Sequence, residues 1–418
     1  MQFQAVLLLL IGARGARADF ANPNLIPFGE EEAFLGNAGI ALDESTGATY
    51  YNPGALGFMR NKKISVYGNA YMADHTFVQT AAEVNGLGIP LNSHTFSTVP
   101  LSSVTIFGNE RNTYAFSIHV PYTASFDFQM PLQSDSTNVT LIGNSASSSL
   151  WIGPSMGRQV SSSFGWGLSW FVVRYSQSSL SITNLDAVVS GTSIQATAGF
   201  SARQTAWNTL LVAGAQWQLS PLWRLGARLE TASLDIRGRS NYYSVGTNAA
   251  VSQRFNKLVN ENDFYSRYRL PFQIGVGAKY AAAARLDLLL DVSSQFPLDY
   301  QTAPSRPLYS DRVITHFVTR GNFGAKLRLN PNHCLLAGFM VNPSSIPAGS
   351  APLNTISNEN FKGATLGTQY DTGILVTSVG GFFLWSNGSY QLPVNTGPIT
   401  SPIHHQIFGL LLSASYKL

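Results

Sequence analysis

The side chains able to do chemistry are few, and their spacing excludes most of it. Gly153-Pro154-Ser155-Met156-Gly157 fits the G-x-S-x-G pattern of a serine nucleophile. That nucleophile needs a strand-to-helix elbow, whereas these residues sit inside an alternating stretch that reads as strand. The seven histidines show no H-E-x-x-H or other ligand spacing, and His404-His405 falls in a stretch that reads as the last loop, facing solvent. Cys334 is the single cysteine, which excludes a disulfide and a cysteine-based metal site. No catalytic residue, no metal and no cofactor is expected. What remains is charge. Arg224, Arg228, Lys279, Lys326 and Arg328 each lie a few residues from a short turn and alternate to a polar face. Such a layer of cations could guide a carboxylate or latch onto the acids Glu30, Glu31, Glu32, Asp43 and Glu44. The competing reading is ordinary solvated charge inside a lumen.

The elements that position these cations are strands. Charged residues make up 11% of the 418 residues, aromatics 12%, and glycine is plentiful at 37. A quarter or so of a soluble domain is usually charged, so this composition points to a membrane. No run of about 18 apolar residues occurs, which excludes a transmembrane helix and leaves the closed β-barrel. The formal charge of +4, with no basic stripe, excludes a nucleic-acid partner.

Period-two alternation runs from Ile64 onward. Ile274, Val276, Ala278 and Tyr280 share a face, together with Leu270 and Phe272 on the same count, opposite Gln273, Gly275, Gly277 and Lys279. Leu225, Ala227 and Leu229 oppose Arg224, Gly226 and Arg228, and the phase then changes to Leu234 and Ile236, as a bulge near 231–233 would produce. Short connections are expected at 109–112, 159–163, 220–221, 281–284, 330–332 and 386–388. Long ones are expected at 74–95, 131–144, 177–202, 241–263, 301–312, 344–361 and 394–404. Their strict alternation is the periplasmic-turn, extracellular-loop asymmetry of outer-membrane barrels. The fold class is therefore all-β, a transmembrane antiparallel β-barrel of fourteen strands over residues 64–418, in the outer membrane of a Gram-negative cell.

Two segments precede it. Residues 1–18 read as a signal peptide, with an apolar run at Ala5-Val6-Leu7-Leu8-Leu9-Leu10-Ile11 and an A-x-A site at Ala16-Arg17-Ala18. Residues 19–63 lack alternation. They carry Gly36, Gly39, Asp43 and Glu44, then the turn residues Asn52-Pro53-Gly54, and small side chains that let backbone approach backbone. Such a piece is either a plug or a periplasmic arm.

A resemblance separates the two. Gly39, Ala41, Leu42, Asp43, Glu44, Ala48, Tyr50, Tyr51, Asn52, Pro53 and Leu56 resemble the N-terminal hatch motif of the FadL/TodX family of outer-membrane transporters of hydrophobic compounds, with Gly54 in place of the usual alanine. Residues 115–122, 151–175 and 270–298 are similar to barrel strands of that family. The resemblance implies a lumen blocked by a hatch at 19–63, capture of long-chain fatty acids or similar molecules, and sideways exit through a gap in the wall. It implies no cofactor. The expected partners are outer-membrane lipids, the hydrophobic ligand and the barrel-assembly machinery.

Two further sets of residues fit such a role. Phe126, Phe128, Met130 and Leu132 could supply apolar surface for a tail, although aromatics at that height more often form the interface girdle. Pro121 removes a ladder hydrogen bond and could mark a wall opening, or simply a strand end. Pro154 raises the same question. The leading expectation is a passive channel for hydrophobic compounds. The alternatives are a secretion or surface-anchoring barrel that docks a partner protein, and a general diffusion porin.

Overall fold

The structure, a computed structural model, describes residues 21–418 apart from 85–86, 99–100, 109–110, 135–136, 190–191, 249–256, 307–311, 347–355 and 395–396. The expected signal peptide lies outside the described residues. Among the described residues no helix is long and apolar enough to cross a bilayer, and the crossing is made by strands.

The wall opens with β1 (Lys63–Val84), β2 (Leu87–Ser97), β3 (Ser102–Gly108), β4 (Asn112–Ser134), β5 (Thr137–Gln159), β6 (Phe164–Val189) and β7 (Thr192–Gln218). It continues through β8 (Trp223–Glu230), β9 (Leu234–Asn248), β10 (Lys257–Tyr265), β11 (Gln273–Ala283) and β12 (Leu286–Gln295). A separate hairpin, β13 (Leu298–Gln301) and β14 (Arg312–Thr315), follows. Then come β15 (Val318–Asn330), β16 (His333–Asn342), β17 (Ile356–Asp371), β18 (Leu375–Val394) and β19 (Gly397–Lys417). β2 with β3, β8 with β9, and β10 with β11 are each one interrupted wall strand, which gives a closed barrel of 14 strands. Antiparallel pairing of β1 with β19, from Lys63↔Lys417 to Val78↔Ile403, closes it.

Alternation explains the wall. Trp166, Trp170, Leu225, Leu229, Ile274, Val276, Phe339, Phe408 and Leu412 are exposed, while their neighbours Gly165, Ser169, Arg228, Gln273 and Leu411 are buried in the interior. In a bilayer every backbone polar group must be paired within the protein, and this outward apolar belt is the surface such a barrel offers to lipid.

Several connections differ from expectation. The stretches at 74–95, 131–144 and 177–202 are continuous paired hairpins, reaching Val84↔Leu87, Ser134↔Thr137 and Val189↔Thr192. Both faces there carry Ser, Thr and Asn, so the pleat leaves no hydropathy signal. The last turn is not at 386–388, where β18 runs on with Asn387↔His404 and Gly388↔Ile403. It is the connection after Asp371, where Gly373 has φ +92° and its N–H donates to Asp371 Oδ1 at 2.7 Å. Leu270 is buried inside, out of line with Ile274, because β11 starts only at Gln273.

Residues 21–62 stand outside the sheet. Short helical turns at Glu32–Leu35, Ala48–Tyr51 and Pro53–Phe58 fold them into a compact, almost wholly buried body within the wall.

Candidate functional site

The N-terminal segment meets the wall backbone to backbone. A Cβ at Gly226 would lie 2.0 Å from Ile40 O, one at Gly167 2.1 Å from Pro53 O, and one at Gly338 2.0 Å from Gly36 N. Gly157 and Gly214 face Leu56 and Asn52 in the same way. Gly157↔Gly167, Gly167↔Gly214, Gly226↔Gly277 and Gly324↔Gly338 are direct cross-strand pairs, so these glycines form a collar around the inner wall.

Gly54 belongs to this fit. The turn expected at Asn52-Pro53-Gly54 is a 3-10 turn over Pro53–Phe58: the Gly54 N–H donates to Asn52 Oδ1 at 3.0 Å, and Gly54 is not among the positive-φ positions. Its lack of a side chain serves proximity instead, since a Cβ there would lie 2.7 Å from Ala215 Cα. Asn52 ties segment to wall through Nδ2, which donates to Ile40 O at 2.6 Å and Ala215 O at 3.1 Å. Gly36 is a left-handed helix end with φ +64°, and Gly39 gives its N–H to Asp291.

Three adjacent acids meet three different fates. Glu30 pairs with Lys63 at 3.1 Å and accepts from Thr46 N at 2.8 Å. Glu31 pairs with Lys326 at 2.8 Å and accepts from Gln369 at 3.0 Å. Glu32, wholly buried, makes no ion pair among the described residues. It accepts from Ser45 Oγ at 2.9 Å, and Oε1 has no hydrogen-bond partner. Gly29, Gly39 and Gly47 enclose it, each so close that a Cβ would lie within 2.5 Å of the side chain. Burial pushes the Glu32 carboxyl up to about 7. Burial would raise Glu31 as well, but the Lys326 charge holds it below its ordinary value.

Asp43 joins Lys279 at 2.7 Å and Arg224. These cations outweigh burial and hold its carboxyl well below the usual range. Glu44 is exposed with φ 60° and offers only its carbonyl, to Lys63. Of the five inner cations singled out in the sequence, Lys279, Arg224 and Lys326 therefore reach acids of the segment. Arg228 and Arg328 do not: they pair with the wall acids Glu230 and Asp287, two residues away along the strand and on the neighbouring strand. Arg228 still touches the segment, donating from Nε to Tyr50 O at 3.1 Å. Sequence reasoning missed Lys63 and Asp291. Asp291 Oδ2 accepts the N–H groups of Gly39 and Ile40 at 2.7 and 2.8 Å.

Where segment and wall meet lies a buried aromatic shelf, built by Phe28 and Tyr50 of the segment with Tyr67, Trp151, Phe171 and Tyr175 of the strands. His119 sits in it, bonded to Thr49 Oγ1 at 2.9 Å and Tyr67 OH at 3.1 Å. Toward the end with the long hairpins, Met130 is buried with Val78, Leu91, Val139, Leu141, Leu185 and Ile403, and Phe126 and Phe128 pack against them. These three residues thus face the interior and are no interface girdle: the register slips between His119 and Tyr122, which turns the even-numbered side chains inward. The Leu132 side chain lies outside the described residues. His405, on β19 and not in a loop, is clamped inside between Asp74 at 2.7 Å and Glu359 at 2.9 Å, while His404 points out.

Pro121 stands at that same slip. β3 pairs with β4 only from Gly108↔Thr113 to Ser103↔Ile118. Beyond Ile118, among the described residues, no ladder joins β2 to β4, and a contact of Ser93 Oγ with Asp127 O spans the seam. Pro154 differs. Pairing of β5 with β6 lapses for two residues and resumes in the same register, from Ile152↔Val172 to Ser155↔Ser169.

These features define a class: an outer-membrane β-barrel whose lumen is filled on the short-turn side by its own N-terminal segment. Solved structures narrow it. The chain superposes on a Pseudomonas aeruginosa FadL homologue with a TM-score of 0.68 at 12% identity, covering 95% of this chain and 99% of that one. It matches the Ralstonia pickettii toluene transporter TbuX with a TM-score of 0.58 at 15% identity, covering 94% and 99%. It matches the P. putida toluene transporter TodX with a TM-score of 0.59 at 14% identity, with the same coverage of 94% and 99%. No protein-family model and no curated sequence matches. The chain has the FadL/TodX fold.

Proposed function

We propose that this protein is a passive outer-membrane channel for hydrophobic compounds, long-chain fatty acids or molecules like them, with residues 19–63 as its hatch. The supporting observation is the apolar cluster of Met130, Val139, Leu141 and Leu185 inside the outer half of a barrel whose other half is filled. A porin that conducts water-soluble solutes has no use for an apolar inner wall, whereas a site for an alkyl or aryl group needs one. Phe126, Phe128 and Met130 would take the apolar part of the ligand. The hatch must shift for passage to the periplasm, and the pairs of Lys279, Arg224 and Lys326 with Asp43 and Glu31 resist that shift. The seam beside Pro121 supplies sideways exit.

The test is uptake of labelled oleate and labelled toluene by cells with and without the gene. Faster uptake of either with the gene supports the reading, and its oleate-to-toluene ratio assigns the ligand class. Equal uptake of both, with the protein present in the outer membrane, overturns it.

A further inference from the structure

The barrel wall has a second discontinuity, on the far side from Pro121. β8 and β9 are interrupted at 231–233, and β10 and β11 at 266–272, at the same height. Pairing of β11 with β8 stops at Gln273↔Glu230, and pairing of β10 with β9 begins only at Tyr265↔Arg239. Between those points, among the described residues, the edge of Leu234, Asp235, Ile236 and Arg237 has no ladder partner on that side.

The missing stretch of chain has folded into the lumen. Gln204 and Asn208 are on the inner face of β7, and they donate to Arg267 O at 2.8 Å and Tyr268 O at 2.5 Å. The Tyr268 ring stacks on Tyr175 of the aromatic shelf, 3.8 Å between centroids and 8° from parallel. Pro271, which has no N–H to give a ladder, stands where the chain turns back to the wall. The backbone groups freed by the excursion find partners inside: Arg267 N donates to Thr302 O at 2.6 Å, Ser233 N to Leu270 O at 3.0 Å, and Leu270 N to Ser233 Oγ at 2.8 Å. Outside the gap, Leu234 and Ile236 are 69% and 58% exposed, and Phe272, Phe296 and Phe317 pack edge to face. Arg269 crosses the gap to Asp235 at 2.7 Å.

We propose that this inward fold is a second lateral portal. An apolar solute, or the apolar tail of an amphipath, passes between the aromatic shelf and the membrane where the wall strand is displaced. Residues 266–272 form its inner lid, and the Arg269–Asp235 pair spans its rim. The shelf runs without a break from Tyr67 and Trp151, near the Pro121 seam, through Phe171 and Tyr175 to Tyr268, Leu270 and Tyr300. One solute bound on the shelf can therefore reach either exit. The proposal rests on the transport reading.

Two measurements test it. Ser233 N donates to Leu270 O and Ser233 Oγ accepts from Leu270 N, so the two residues are direct neighbours and Ser233→Cys with Leu270→Cys ties the lid to the wall reversibly. In proteoliposomes, uptake of labelled solute is expected to fall about five-fold on oxidation and to return with reductant, as for other gating lids. Independently, a diazirine-bearing hexadecane is photolysed with the unaltered protein and the labelled peptides are identified by mass spectrometry. Labels on 234–236 or 266–270 are expected. Labels confined to the β2–β4 seam, or equal uptake in oxidised and reduced protein, overturn the portal and leave transport standing. Absence of both uptake and lumen labelling overturns the portal together with the transport reading.

Discussion

Below His119 the inner wall carries glycine and paired charge; above it the same strands carry serine, phenylalanine and methionine. The lower half holds a folded segment against bare backbone and fixes it with Asp43, Glu30 and Glu31 on Lys279, Arg224, Lys63 and Lys326. The upper half brings in apolar side chains that, among the described residues, form a cluster of their own without residues of the segment. Strand geometry is common to both, so the division lies in side chains alone: the lower half is filled by the segment, and the upper half presents the apolar face that the proposed function gives to a ligand.

Four perturbations would break or sharpen that division. The largest effect is expected of Lys326→Glu, which sets a carboxylate against the largely enclosed Glu31. Unpairing a buried charge costs about 3–5 kcal/mol, so the segment should become protease-sensitive in intact barrels, and adding Glu31→Lys should restore most of its protection. Next, Gly226→Val drives a side chain into Ile40 O and should weaken seating by about 1–3 kcal/mol, as overpacking does. Single-channel recordings would show this as longer open events.

Third is the pH dependence of seating. The Glu32 carboxyl in the seated segment titrates at about 7, above its ordinary 4.5. The seated state therefore binds the proton more tightly. Seating is strongest at and below pH 4.5 and weakens as pH rises through 7, by up to about 1.4 kcal/mol per unit. Asp43, held below its ordinary 3.8, works in the opposite sense and matters only in stronger acid. Glu32→Gln should flatten the dependence of segment proteolysis between pH 4.5 and 7, and a slope equal to that of the unaltered protein would refute this account of Glu32. The smallest effect is expected in the upper half. Phe128→Ser should weaken binding of a fluorescent hydrophobic probe by about 1–2 kcal/mol, the worth of part of an aromatic side chain, with segment protection unchanged. A loss of protection would show that the two halves are not separable.

Much of the barrel was legible because lipid on one side and a lumen on the other impose period two. Leu225, Leu229, Ile274, Val276, Phe408 and Leu412 follow it without exception. The cation layer was legible for the same reason, since inward-pointing Arg and Lys near short turns must meet whatever fills that end. Their partners were not. Arg228 and Arg328 find Glu230 and Asp287 on the wall, and no one-dimensional pattern distinguishes a wall acid from a segment acid. Lys63 was hidden because it lies at the boundary between segment and strand. The long hairpins read as loops because Ser, Thr and Asn occur on both faces and blur the alternation, even though Val139, Leu141 and Leu185 turn inward. The inward fold at 266–272 was invisible for a subtler reason: Leu270 and Phe272 fall in phase with Ile274, so a strand leaving the wall has the sequence of one that stays. His405 looked like half of an exposed pair, yet its pleat position alone separates it from His404.

The glycine collar also sets where this protein can tolerate change. A segment seated against bare backbone leaves its partner no atom to spare, so at Gly167, Gly214, Gly226 and Gly338 every substitution adds atoms where none fit. On the segment, the exposed Glu44 can vary among residues that accept its φ of 60°. Mutational intolerance should therefore run along both sides of the contact, in the collar and at Gly36, Gly39, Gly47 and Gly54 of the segment. A deep mutational scan would trace the outline of the N-terminal segment in the strands that surround it as well as in the segment itself.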